Sequence, residues 1–294
     1  LTTEMVKEFP SLQGSVGSYY AKMEGYLEKD FIAITDQYLP LFQKDNCPKT
    51  IFSSCLAIAE KIDNILASFL SGKKPSGSKD PFGLRRSALG IIRILVEKQI
   101  NLNLSEVLLF SFKLFNYDKC QNNFDIEEVI DFVFKRFESY MKDKGIQIDY
   151  INAVNLNKTK LKPLELFVKS KTVIEFRAKN EGIDFLASYN RVESILLASS
   201  DKVIKLDVNL FKCIEEKFLY EKISIFQNKI KKNESIDLFS NSLNYLLDLT
   251  EPINNFFDNV KVNSDKEITK KNRISLLMVL KKSIDEICDF SELE

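Results

Sequence analysis

The chain has 294 residues, 45% of them hydrophobic and 29% charged, and its 42 basic and 42 acidic side chains give a formal net charge of zero. That is globular composition, long enough for two domains with their own cores, and no apolar run reaches the ~18–20 residues that a membrane-spanning helix needs. Histidine is absent, which removes Ser-His-Asp and Cys-His nucleophile systems, His-ligated metals and the usual near-neutral general base.

Nine glycines and seven prolines punctuate long stretches of helical period, so the expected fold class is all-α. In chain order the spacing predicts helices over Thr3–Phe9, Val16–Leu27, Asp30–Tyr38, Lys49–Ser71 and Asp80–Lys98. Further helices are predicted over Leu104–Phe115, Ile126–Lys144, Lys162–Lys179, Ile183–Leu197, Asn209–Lys231, Ser235–Leu247, Glu251–Val260 and Lys266–Phe290. The segment after Ser199-Ser200 is free of glycine and suggests a separate bundle.

The most informative run is Gly77–Gly90, which follows a polar loop, Ser71–Gly77. Asp80 is expected to cap a helix whose first residue is Pro81, where the missing N–H costs nothing. Leu84, Ala88, Ile91/Ile92 and Leu95 recur as a buried stripe, while Arg86, Gly90, Arg93 and Glu97 fall on a different side. A small residue between two arginines leaves room for a bulky partner. Arginines on the first turns suit a phosphate backbone; a solvated helix face is the alternative left open. Phe9, Leu12, Phe82, Phe256 and Phe257 are assigned to the core by their helical spacing.

Three segments are locally basic despite the neutral total: Gly72–Lys98, Lys158–Lys179 and Lys266–Lys282. Each either neutralises phosphates or simply solubilises a helix. Cys47, Cys55, Cys120, Cys213 and Cys288 are scattered without a CxxC pair and are expected as buried, reduced thiols. No clustered Asp/Glu motif, GxxxxGK[ST] or GxGxxG is present, so neither a catalytic nor a metal site is expected.

Several motifs occur in order: Leu1–Gly14, Gln37-Tyr38-Leu39-Pro40, Leu56–Asp63, and Lys79-Asp80-Pro81-Phe82 through Leu89-Gly90. Asn190-Arg191-Val192 with Ile195-Leu196 follows, then Glu251-Pro252-Ile253 with Phe256-Phe257-Asp258, Val260 and Val262, and Asn272-Arg273. Together they resemble the beta subunit of bacterial heterotetrameric glycyl-tRNA synthetase over essentially the entire chain. The resemblance implies the C-terminal part of a longer subunit. It divides the chain into a degenerate HD-type helical domain at 1–145, a helical connecting region at 146–200 and an anticodon-binding helical bundle at 201–294, like that of arginyl-tRNA synthetase. Asp63 resembles the last acidic position of the HD pattern, and Glu60 stands where family members commonly have Asp.

By this resemblance the chain holds tRNA(Gly) while the alpha subunit, in a heterotetramer of two alpha and two beta chains, activates glycine with ATP and Mg. No cofactor is then expected in this chain, no membrane partner, and a cytoplasmic location. Charge and motif position nominate Lys79, Arg85, Arg86, Arg93, Arg191, Lys270, Lys271 and Arg273 as tRNA contacts. A direct RNA role for Gln13 is open; with Gly14 it is expected to shape a turn. Two rival functions remain: an HD-type phosphohydrolase, disfavoured by the missing histidines, and a helical protein-interaction module.

Overall fold

The computed structural model describes residues 4–115, 125–156, 160–199, 204–231 and 238–293. Among the described residues the fold is all-α, with one isolated bridge between Ser76 and Lys79 and no sheet. No helix is long and apolar enough to cross a membrane. The chain forms two compact units, one of 1–145 with 157–165 and one of 146–156 with 166–294. The second unit therefore takes in most of the expected connecting region as well as the terminal bundle. Cys47 and Cys288 are buried thiols as expected, whereas Cys55 is exposed and Cys213 is half-buried; Cys120 and Lys158 lie outside the described residues.

The first unit contains α1 (Glu4–Glu8), α2 (Ser15–Met23), α3 (Glu28–Asp36), α4 (Ile51–Leu70), α5 (Leu84–Glu97), α6 (Leu104–Leu114) and α7 (Ile126–Asp143). Its centre is α5, packed against α4 and α7, with α2 and α3 paired beside α4. Thr50 starts α4 by accepting from Ser53 N at 3.0 Å, and Ala57, Ile58, Ile62, Ile65, Leu66 and Phe69 then bury one face at helical spacing. The stripe expected on α5 is realised, since Leu84, Ala88, Ile91, Ile92 and Leu95 are fully buried.

The start of α5 differs from expectation. Pro81 lies in a turn, the helix begins at Leu84, and Gly83 is its N-cap in the left-handed region at φ 66°. Asp80 still satisfies the orphan donors, from farther back: Oδ1 accepts from Leu84 N at 2.8 Å and Oδ2 from Arg85 N at 3.0 Å.

The second unit contains α8 (Ile148–Val154), most of α9 (Pro163–Arg177), α10 (Asn180–Ala198), α11 (Ile214–Ile230), α12 (Phe239–Leu247), α13 (Thr250–Asn259) and α14 (Glu267–Asp285). Helix α8 was not expected. It is short and docks through a tertiary contact, Asp289 N donating to Ala153 O at 2.8 Å. The core includes a ring cluster of Phe176, Phe185, Tyr189 and Phe290 with neighbouring centroids 5.7–6.3 Å apart. Lys281 donates to Tyr189 Oη at 2.8 Å and pairs with Asp285 at 3.1 Å, so the polar rim of that cluster is satisfied.

Candidate nucleic-acid interface

In the first unit, four motifs that are far apart in sequence meet at one cleft of about 160 Å³. Gln13 comes from the turn before α2, Tyr38, Pro40 and Leu41 from the segment after α3, Glu60, Lys61 and Asn64 from α4, and Phe82, Gly83, Arg86 and Ser87 from the start of α5. The link between α4 and α5 is intimate. Lys61 is buried and donates to the carbonyls of Gln37 and Tyr38, both at 3.3 Å. Burial holds its ammonium below the usual lysine range, with Glu60 opposing that shift. A Cβ on Gly90 would lie 2.9 Å from Lys61 Cε. Gly90 is therefore small to admit the lysine stem, not an external partner as the sequence suggested.

The nominated cations of this unit separate by what they touch. Arg93 is a structural clamp: it bonds the carbonyls of Phe42 at 3.2 Å, Gln43 at 3.0 Å and Asp45 at 2.8 Å, and pairs with Glu97 at 2.8 Å. Its guanidinium is used up holding the segment after α3 against α5, which argues against RNA contact. Arg85 donates to Gly77 O at 2.6 Å and steadies the preceding loop. Arg86 is different. Its guanidinium lies 5.5 Å from the Phe42 ring centre, and among the described residues it makes no hydrogen bond or ion pair within the protein. Lys79 is exposed at the same loop. Phe82 and Phe9, expected in the core, are about half exposed, and Phe82 lines the cleft.

Glu60 accepts from Asn64 at 2.5 Å and Asp63 is exposed. Among the described residues no group of three or more Cys, Asp or Glu side chains is placed to hold a metal.

The second unit has a larger, mostly apolar cleft of about 660 Å³ between α10 and the segment that leaves α13, lined by Asn190, Arg191, Ser194, Phe257, Lys261 and Asn263 among others. Arg191 lies 4.7 Å from the Phe257 ring centre and is steadied by Asn254 and Asp258, each at 3.4 Å. A guanidinium stacked on an aromatic ring presents a flat cationic surface suited to an unstacked base. Phe256 is fully buried, as expected, whereas Phe257 serves this cleft.

Arg273 is corrected from contact to brace. Its side chain is 9% exposed and its partner Glu216 only 1%, with Nε to Oε1 at 2.8 Å. Nη1 donates to Lys261 O at 2.7 Å, while Glu216 Oε2 accepts from Lys212 N and Cys213 N at 2.5 and 2.7 Å at the start of α11. Arg273 thus fixes the Lys261 backbone that lines the cleft. Lys271 pairs with Glu267 on its own helix, and Lys270 lies on the same helix, half-buried.

The model of the glycyl-tRNA synthetase beta subunit family matches residues 1–156, more than half of the sequence, and that of the DALR anticodon binding domain matches residues 185–290. The chain belongs to the glycyl-tRNA synthetase beta subunit family. Among its relatives are glycine–tRNA ligase beta subunits of Haemophilus influenzae strain PittEE at 35% identity, Pasteurella multocida strain Pm70 at 36% and Aliivibrio fischeri strain ES114 at 37%. Each alignment covers 100% of this chain and 42% of the relative. The family match contains all residues lining the smaller cleft, and the DALR match contains all residues lining the Arg191–Phe257 cleft.

Proposed function

We propose that this chain is the tRNA-holding part of a glycine–tRNA ligase beta subunit, which positions tRNA(Gly) for ATP-dependent glycylation at an alpha subunit. The observation that carries this reading is the Arg191–Phe257 stack at a cleft within the DALR match. An unpaired anticodon base stacks on that flat cationic surface, while Asn190 and Asn263 offer amide groups to its edge. The mechanism is positioning, which lowers the entropic barrier to transfer at a centre on another polypeptide. ATP and Mg belong to that partner, the assembly is two alpha and two beta chains, and the location is the cytoplasm.

Titration of the full chain with tRNA(Gly) at several salt concentrations tests this. Binding is expected to weaken with salt, and Arg191→Ala to reduce affinity by about 5-fold or more through the lost stack. An anticodon base removed from the tRNA is expected to cost the same amount with no further loss in Arg191→Ala. Absence of tRNA affinity at low salt, alongside tight binding to the alpha subunit, would instead favour a protein-interaction module.

A further inference from the structure

The smaller cleft of the first unit combines features that anticodon recognition in the second unit leaves unused. At its mouth stands Arg86, a cation without an internal hydrogen-bond or ion-pair partner among the described residues, resting on the face of Phe42. Two aromatic rings are exposed there, Phe82 at 52% and Phe42 at 59%, and Lys73 Nζ lies 5.5 Å from the Phe82 ring centre. Exposed aromatic carbon beside unpaired positive charge is the pairing that strand-binding proteins use, with the ring for a base and the cation for a phosphate. Behind the mouth, the buried Lys61 adds positive potential, partly offset by Glu60, whose carboxylate is engaged by Asn64. The amide of Gln13 and the hydroxyl of Ser87 complete a wall of hydrogen-bonding groups.

Size narrows the ligand. At about 160 Å³ the cleft falls below the ~300–1,000 Å³ typical of sites that enclose a whole small molecule. It suits one step of a longer strand. A base inside a duplex has both faces covered by its neighbours, so the step that offers a face to Phe82 and a phosphate to Arg86 is an unpaired one. Gly83 contributes to the geometry, because a Cβ there would lie 2.8 Å from Arg86 Nη2 and displace the guanidinium from its position at the mouth.

We propose that this cleft holds a single nucleotide of an unpaired RNA segment, its phosphate against Arg86 and its base stacked on Phe82. The proposal rests on the tRNA-holding function proposed above and adds a second, independent anchor for the same RNA.

The test is titration of the full chain and of Phe82→Ala, Phe82→Tyr and Arg86→Ala with three probes: tRNA(Gly), a blunt RNA duplex and AMP. Phe82→Ala is expected to lower tRNA affinity about 5-fold or more, with Phe82→Tyr restoring it to within about 2-fold. Arg86→Ala is expected to flatten the salt dependence of tRNA binding by about 0.7 in log–log slope, the single-strand value for one phosphate. Neither substitution is expected to change binding of the duplex. Since Phe82 is half exposed, the thermal midpoint should stay put, which separates lost contact from lost fold. Wild-type tRNA binding with Phe82→Ala unaffected overturns the cleft proposal alone, as does an equal loss on the duplex. Micromolar binding of AMP that Phe82→Ala abolishes would replace the RNA strand by a free nucleotide and also overturn it. No tRNA binding by the wild-type chain would instead defeat the underlying tRNA-holding function.

Discussion

Cys47 donates its thiol to Glu97 at 3.3 Å, and burial first, then that carboxylate, pushes the thiol from its ordinary 9.0 up to about 12. Tyr140, nearby in the same electrostatic cluster, is also pushed up to about 12 by burial and by Glu97. A group whose pKa is raised in the folded state keeps its proton there longer than in the unfolded chain. Its stabilising contribution is complete below the unfolded value and is lost as pH rises through the folded one. Stability is therefore expected to fall between about pH 9 and pH 12, with Cys47→Ala falling less steeply over that window. Urea denaturation at a series of alkaline pH values reads both slopes, and identical slopes would show that the thiol does not contribute. Glu97 itself is held below the usual carboxylate range: burial opposes this, but the hydrogen bonds from Arg93 and Cys47 outweigh it. Arg93 and Arg273 were legible in the sequence as cations but not as clamps. Their partners are the carbonyls at 42–45 and Glu216, and separations of about fifty residues or more carry no local periodic signal.

Helix α5 shows how one element can be read correctly along its apolar face and wrongly at its start. The buried stripe follows directly from spacing. Its first turn does not, because Asp80 caps across an intervening turn that only the left-handed Gly83 permits. The fit between α4 and α5 supplies a sharper test. Gly90→Ala adds a carbon 2.9 Å from Lys61 Cε, and overpacking of this kind costs about 1–3 kcal/mol. It also gains about 1 kcal/mol of helix propensity. The substitution is expected to destabilise the wild-type protein but to become neutral or stabilising in a Lys61→Ala background, where the crowding carbon is gone. A double-mutant cycle by denaturant melting measures this coupling; strictly additive effects would refute the contact. Helix α8 escaped the sequence because seven residues are too few for a persuasive period, and its docking onto Asp289 is decided by packing.

At the scale of the whole molecule, the chain passes between its two units three times, near residues 145, 156 and 165. The four motifs of the first cleft were each visible in sequence, but their convergence required the folded arrangement of α3, α4 and α5. The second cleft was legible through Arg191, while Phe257 was mistaken for core because aromatic residues at helical spacing usually pack inward. The repeated passage has a further consequence. A single backbone cut between Leu156 and Lys160 would leave α8 covalently attached to the N-terminal piece although it belongs to the second unit, and Leu161 attached to the C-terminal piece although it is tied to Leu104 and Ser105 of the first. Each product would then hold a peptide that the other needs. An engineered protease site at that position is expected to yield two bands on a denaturing gel but one peak on native size exclusion. Separation of the two halves without denaturant would show that these exchanged peptides do not fasten them.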